Sequence, residues 1–185
     1  FRAFYEGWTS QFVKEALIID DRYNGGGSLP HEMALDMAAP VLQYWARRNL
    51  PLYATPLNVH EGPKAMLING RSSSGGDAFP AYFRSLKLGP LIGQKTWGGL
   101  IGYSGTPQFV DNGGLAVPAF GYVNREGEWD VEYVGVDPDI YVFDDPTLIQ
   151  AGREPMIERA VSYLPEELKK NPPKKVVKPE GPKRN

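Results

Sequence analysis

Ala65-Met66-Leu67-Ile68-Asn69-Gly70-Arg71-Ser72-Ser73-Ser74-Gly75-Gly76-Asp77 joins a continuous apolar run to a hydroxyl-rich turn bounded by glycines, and Phe79, Tyr82 and Phe83 then recur at helical spacing. It reads as strand, tight turn, helix. That order lifts a serine to the end of a sheet and points helix N-terminal amides at whatever binds there, an arrangement suited to acyl transfer. A Ser/Gly run by itself signals only a loop, so its meaning depends on the neighbouring segments.

Upstream, Phe4, Tyr5, Trp8, Phe12 and Val13 recur at steps of three and four, as on an amphipathic helix lying against a sheet. Ala16-Leu17-Ile18-Ile19-Asp20-Asp21 follows as a buried parallel strand ending at a polar rim, and Asn24-Gly25-Gly26-Gly27 turns the chain. From Pro30 to about Arg48 the pattern of Met33, Leu35, Met37, Ala38, Val41, Leu42 and Trp45 predicts one long helix. Leu52-Tyr53-Ala54 is extended, and the strand beginning at Ala65 completes a βαβ crossover. A helix over Ala78–Leu86 then leads into Leu91-Ile92-Gly93. Residues 97–124 mix glycines with short β-prone pieces (Gln108–Val110, Leu115–Val117, Gly121–Val123), and Arg125-Glu126-Gly127-Glu128 is a hairpin-type turn into a strand over Trp129–Val134. Helical patterns return near Pro146 and over Glu154–Tyr163. The expectation is one α/β domain over residues 1–165, with a mostly parallel sheet, flanking helices and a β-rich excursion.

With 185 residues and 42% hydrophobic content the chain can bury one ordinary core. No apolar run approaches the roughly 20 residues that span a bilayer, and Phe1–Glu6 lacks the order of a signal peptide. The expectation is no membrane span and no address. The first residue is not methionine, which reads as a segment of something longer. With no cysteine there is no disulfide, thiol nucleophile or thiolate zinc site, and two histidines, His31 and His60, leave little for a metal cluster. Neither a metal nor another cofactor enters the expectation, and cytoplasmic and periplasmic locations both stay open. From Lys169 to Asn185 six lysines and one arginine face one glutamate, a net +6, so the other residues carry −8 of the total −2. Residues 166–185 therefore read as a disordered, basic Pro/Lys-rich tail on an acidic body.

The two glycine-rich turns should lie side by side at one sheet edge, because each follows an apolar strand and opens a helix. In the first, bare backbone lets N–H groups meet a ligand at contact distance; in the second, Ser72, Ser73 and Ser74 are candidate nucleophiles. A bare-backbone turn beside a serine is what an oxyanion hole requires. Neither turn has the spacing or lysine of a P-loop or the Gly-x-Gly-x-x-Gly of a dinucleotide site, and no nucleic-acid partner is expected.

Four blocks in order then resemble one family: Leu17–Gly27; Leu67-Ile68-Asn69 with Ser74-Gly75-Gly76-Asp77-Ala78-Phe79-Pro80; Leu91–Gly99; and Val131–Asp139. Together they are similar to the catalytic domain of tricorn-type serine peptidases, relatives of the C-terminal processing proteases. The resemblance implies a ClpP/crotonase-like fold and proteolysis of peptides or unfolded proteins by a homo-oligomer. It also implies roles. Ser74 matches the nucleophile, with Ser72 and Ser73 as scaffold, and Gly75 supplies one oxyanion amide. Gly26 matches the second, with Gly25 or Gly27 if the alignment slips by one.

Where the processing proteases carry a lysine base, Lys95-Thr96-Trp97-Gly98-Gly99 has glycine, and Lys95 falls four residues early, as a surface lysine. Tricorn-type enzymes instead use a histidine assisted by a serine and a glutamate, and Glu132 matches that glutamate. Strand alternation puts Asp130 and Glu132 opposite Trp129, Val131 and Tyr133. The family's histidine and helper serine lie upstream of the matched region; His31 and His60 do not match them, although His31, four residues after Gly27, is close enough in sequence to approach the pocket as an alternative base, and His60 reads as a solvated loop residue. An aspartate that gives archaeal relatives a preference for basic residues aligns with Trp45, which reads either as a substrate contact or as core at a helix end. A non-catalytic ligand-binding or assembly module and an acyl-CoA enzyme of the crotonase type are the competing classes.

Overall fold

β4 (Lys64–Ile68) is buried along its whole length, and it organises the molecule. In the computed structural model, which describes residues 2–104 and 107–181, it pairs in parallel with β1 (Leu17–Asp20) on one side and β5 (Leu91–Gly93) on the other. The short β6 (Ile140–Tyr141) adds in parallel to β5, giving the order β1-β4-β5-β6. Successive side chains of a strand point to opposite faces, so β4 supplies two cores. Met66 and Ile68 meet Trp8 of α1 (Arg2–Gln11), Ala34 and Met37 of α2 (Pro30–Ala38), and Phe79 and Phe83 of α3 (Gly75–Ser85). Ala65 and Leu67, with Ile92 of β5, meet Met156, Ala160 and Leu164, which recur every four residues on α5 (Pro155–Lys170). Each such large apolar side chain contributes about 1.5–3 kcal/mol by leaving water. The short α4 (Pro146–Gln150) is capped by Asp145, whose carboxylate accepts from the Thr147 N–H.

The α/β class, the parallel sheet and the flanking helices are as expected. Several local expectations need correction. The helix predicted to reach Arg48 stops at Ala38, because Pro40 pushes Ala39 into an extended conformation (ψ 124). Gln43–Trp45 is instead strand β2, antiparallel to β3 (Tyr53–Thr55) in a separate two-stranded sheet. β1 is an edge strand with alternating, partial burial, whereas Asp21 beyond its end is 2% exposed and lies beneath the rim. Among the described residues, 97–124 forms only the isolated bridges Gly102↔Phe120 and Val123↔Trp129, the second across the predicted hairpin turn. Residues 105 and 106 lie outside the description. The strand predicted over Trp129–Val134 is replaced from Val131 onward by a turn, with Val131 and Tyr133 both at φ 68. Helix α5 continues to Lys170, five residues past the composition boundary. Among the described residues no helix is long and apolar enough to cross a membrane.

Candidate active site

Parallel pairing of β1 with β4 sets the triglycine and serine turns side by side at the carboxyl edge of the sheet. They interlock through backbone. Ser73 N–H donates to the carbonyl of Asn24 at 2.9 Å. A Cβ added at Gly75 would lie 2.4 Å from Gly27 O, one at Gly76 would lie 2.2 Å from Asn24 O, and one at Gly26 would lie 2.8 Å from Gly75 N and 3.0 Å from Ser74 Oγ. Only glycine permits this approach. Ser74 itself, at φ 56 and ψ −116, is the residue before α3, in a backbone region that costs a side-chain-bearing residue about 1–3 kcal/mol. The strain turns its hydroxyl toward Gly26 at the helix N-terminus.

Among the described residues, Gly75 N–H and Gly27 N–H donate to no protein atom, whereas Gly26 N–H is taken by Asn24 Oδ1 at 3.0 Å. Both free amides border a cleft of about 470 Å³ whose walls include Leu29, Pro30 and Met33. Two unpaired amides next to a serine, at the positive end of an eleven-residue helix, give this corner the electrostatics to receive an anion. Among the described residues Gly25 N–H is likewise unpartnered but does not border the cleft, so of the first turn's glycines Gly27 is the one whose open amide lines it.

Asp77 holds this corner in place. Fully buried, its carboxylate accepts from the N–H groups of Ser74 (2.8 Å), Gly98 (2.8 Å) and Gly99 (3.1 Å). The bond to Ser74 is the N3-to-N-cap half of a capping box, and the signal was present in the sequence as an acid three residues after the helix N-cap. Ser72, fully buried, donates from Oγ to Asp21 O at 2.8 Å and accepts from Asn69 N–H, so it ties the strand ends together.

Glu132 reaches the same corner from the turn at 131–134. Its Oε2 accepts from the N–H groups of Leu100 (2.6 Å) and Ile101 (2.7 Å), while Ser74 N–H donates to Gly99 O at 3.1 Å. The peptide joining residues 99 and 100 is therefore clamped between Ser74 on its carbonyl and Glu132 on its N–H. Strand alternation does not place Glu132: Val131 is 4% exposed and Tyr133 is 95% exposed.

Of the other singled-out residues, Trp45 stands 53% exposed on β2 and is absent from the cleft walls, so the reading as core at a helix end is corrected. Lys95 makes a surface ion pair with Asp137 at 3.2 Å. His31 is exposed near Glu32. His60 is not solvated but 4% exposed against Trp8 (6.3 Å between rings), both ring nitrogens lack a partner, and burial followed by the nearby Lys64 charge pushes its pKa down to about 4. Burial also lowers Lys64, to about 8, although its Nζ donates to the carbonyls of His60 and Gly62.

Comparison with known proteins places the fold in a family. The pattern of Peptidase family S41 matches residues 1–142. The chain is 32% identical over 167 residues to the tricorn protease of Thermoplasma volcanium, covering 90% of this chain and 16% of that one. It is 30% identical over 164 residues to tricorn protease homolog 1 of Streptomyces coelicolor, covering 89% and 15%. Against a crystal structure of the tricorn protease the TM-score is 0.86 at 32% identity, covering 91% of this chain and 16% of the other. The photosystem II D1 C-terminal processing protease shares the fold at a TM-score of 0.50 and 24% identity, over 77% and 38%. The chain thus spans about a sixth of the length of its tricorn relatives. On the family match and the shared fold, this chain belongs to peptidase family S41.

Proposed function

We propose that this chain is the nucleophile-bearing part of a serine endopeptidase acting on peptides or unfolded protein segments. The observation that carries the reading is the pair of unpartnered amides, Gly75 and Gly27, beside a strained serine at a helix N-terminus. In the proposed reaction Ser74 Oγ attacks the scissile carbonyl carbon and its proton passes to a histidine base. The carbonyl oxygen takes up the displaced electron pair as an oxyanion held by the two amides, each worth about 3–4 kcal/mol of barrier. Collapse returns the proton to the leaving amine, and water hydrolyses the acyl-serine ester. Glu132 acts through the peptide at 99–100 and the upstream histidine network. Trp45, exposed on β2, belongs to the same proposal as a substrate contact and takes no catalytic step.

His31 is exposed beside Glu32 and His60 is buried against Trp8, and neither matches the histidine of tricorn-type enzymes, so the proposal assigns the base to a region outside this chain. Without it Ser74 is a poor nucleophile, and turnover by the chain alone falls by several orders of magnitude. Assembly into a closed homo-oligomer belongs to the same proposal, and the concentration of exposed apolar side chains over 97–134, among them Trp97, Tyr103, Phe109, Val110 and Trp129, supports it.

Fluorophosphonate treatment tests the reading. In the longest natural polypeptide containing this chain, mass mapping should find the adduct on Ser74, with Ser74→Ala unlabelled and the isolated chain labelled far more slowly. An active, histidine-bearing polypeptide labelled elsewhere, or never labelled, overturns it.

A further inference from the structure

Beneath the triglycine turn lies a carboxyl group that the proposed reaction does not use. Asp21 is 2% exposed, its Oδ1 accepts from Asn24 Nδ2 at 2.8 Å, and its Oδ2 is buried without any partner. The other end of the Asn24 amide, Oδ1, accepts from Gly26 N–H, and the Asn24 carbonyl holds Ser73 N–H. Asp21 thus grips the turn through one side chain. Its own carbonyl accepts from Ser72 Oγ, so the same residue also supports the serine turn.

No described cation pairs with Asp21. The adjacent Arg22 points away, to Asp20 (2.8 Å), Asp144 (3.0 Å) and Glu154 (3.0 Å). The charged groups that act on Asp21 are Asp20 from its own strand and Asp77 from α3, both carboxylates. Burial first and these two charges next push its pKa up to about 8, against the lowering effect of the Asn24 hydrogen bond. An isolated buried carboxylate is costly, and here its cost is increased by like charges.

We propose that Asp21 is a positioning residue with two working states: neutral, it orients Asn24 and the Gly26–Gly27 turn without placing charge under it; ionised, it sets a negative charge beneath the amides and opposes the oxyanion they must hold. The catalytic consequence rests on the proposed function, since it requires that an oxyanion form there. The proton equilibrium itself does not. Electrostatic stabilisation in a water-poor corner responds strongly to one added charge of the same sign as the oxyanion.

Two measurements separate these parts. Spectra of the ¹⁵N-labelled chain between pH 6 and 9.5 should show the Gly26 backbone amide and the Asn24 side-chain amide shifting together with a midpoint near 8, and Asp21→Asn should abolish that step. Asn24→Ser keeps Asp21 and cuts the link, so the Asp21 carboxyl carbon still titrates while Gly26 no longer follows; this variant serves if Asp21→Asn fails to fold. Absence of the step, or its persistence in Asp21→Asn, overturns the proposal. In the longest natural polypeptide, the ratio of wild-type to Asp21→Asn kcat/KM should fall roughly threefold to tenfold between pH 7 and 9. A constant ratio alongside the amide titration overturns the positioning role and leaves the peptidase reading intact. Lack of any Ser74 adduct instead removes that reading and, with it, the catalytic consequence, while the amide titration still decides the proton switch.

Discussion

The Asp77 carboxylate accepts three backbone N–H groups from two loops, and an asparagine there offers one acceptor oxygen and turns an NH2 group toward the remaining donor. Asp77→Asn should therefore lower stability by about 1–3 kcal/mol, read as a lower urea midpoint, with no gain in exposed apolar surface to explain it. Two other buried groups give opposite pH dependences. His60 has its folded pKa lowered to about 4, so its contribution to stability is complete above the unfolded value near 6.5 and is lost as pH falls toward 4. Calorimetry should show the melting-temperature difference between wild type and His60→Gln moving against wild type between pH 7 and 4.5, a comparison in which the Asp21 contribution cancels. Asp21 runs the other way, because its folded value near 8 lies above an unfolded value near 3.9. Stability is undiminished below about pH 4 and declines as pH rises to about 8, so the melting-temperature gain of Asp21→Asn over wild type should grow across that range.

At the scale of elements, the turns behave as paired parts. Gly26 sits at φ +108, and a methyl group there would lie 2.7 Å from Ser74 Cβ. Gly26→Ala must displace one turn from the other; the expected result is a loss of about 1–3 kcal/mol together with at least tenfold slower fluorophosphonate labelling of Ser74 in the longest natural polypeptide. Much of this layer was legible in the chain. The apolar runs in 16–21 and 65–68 became parallel strands and their glycine-rich exits came to lie side by side, because a continuous apolar strand followed by glycine and serine has few alternatives in a parallel sheet. Pro40 was equally legible as a helix stop and was outweighed by an apolar periodicity that β2 later claimed. The turn that delivers Glu132 was not. Val131 and Tyr133 at φ 68 run against the preferences of β-branched and aromatic residues, and they are held there by distant partners, Gly98 O accepting from Tyr133 N–H and the Glu132 carboxylate accepting from the N–H groups of Leu100 and Ile101. Nor did residue spacing reveal that Asn24 occupies the Gly26 amide, since that bond exists only once the turn has closed.

Across the whole molecule, both cores form around β4, and the extended stretch after Lys170 adds little to either. Its described anchorage is Lys178, whose Nζ donates to the exposed carbonyls of Arg47, Arg48 (3.1 Å) and Leu50 (3.4 Å). Removing residues from 172 onward should shift the unfolding free energy by less than about 0.5 kcal/mol, measured by urea melts. The site, by contrast, draws on four separated lengths of chain: 21–27, 69–77, 96–101 and 131–135. That division has a consequence for protein engineering. A designer who transplants the Ser-Gly-Gly-Asp segment alone into another strand-turn-helix scaffold carries over an acid stripped of two of its three donors and a serine with no reason to keep its φ of 56. The smallest portable unit is the carboxylate of Asp77 together with every loop it reaches.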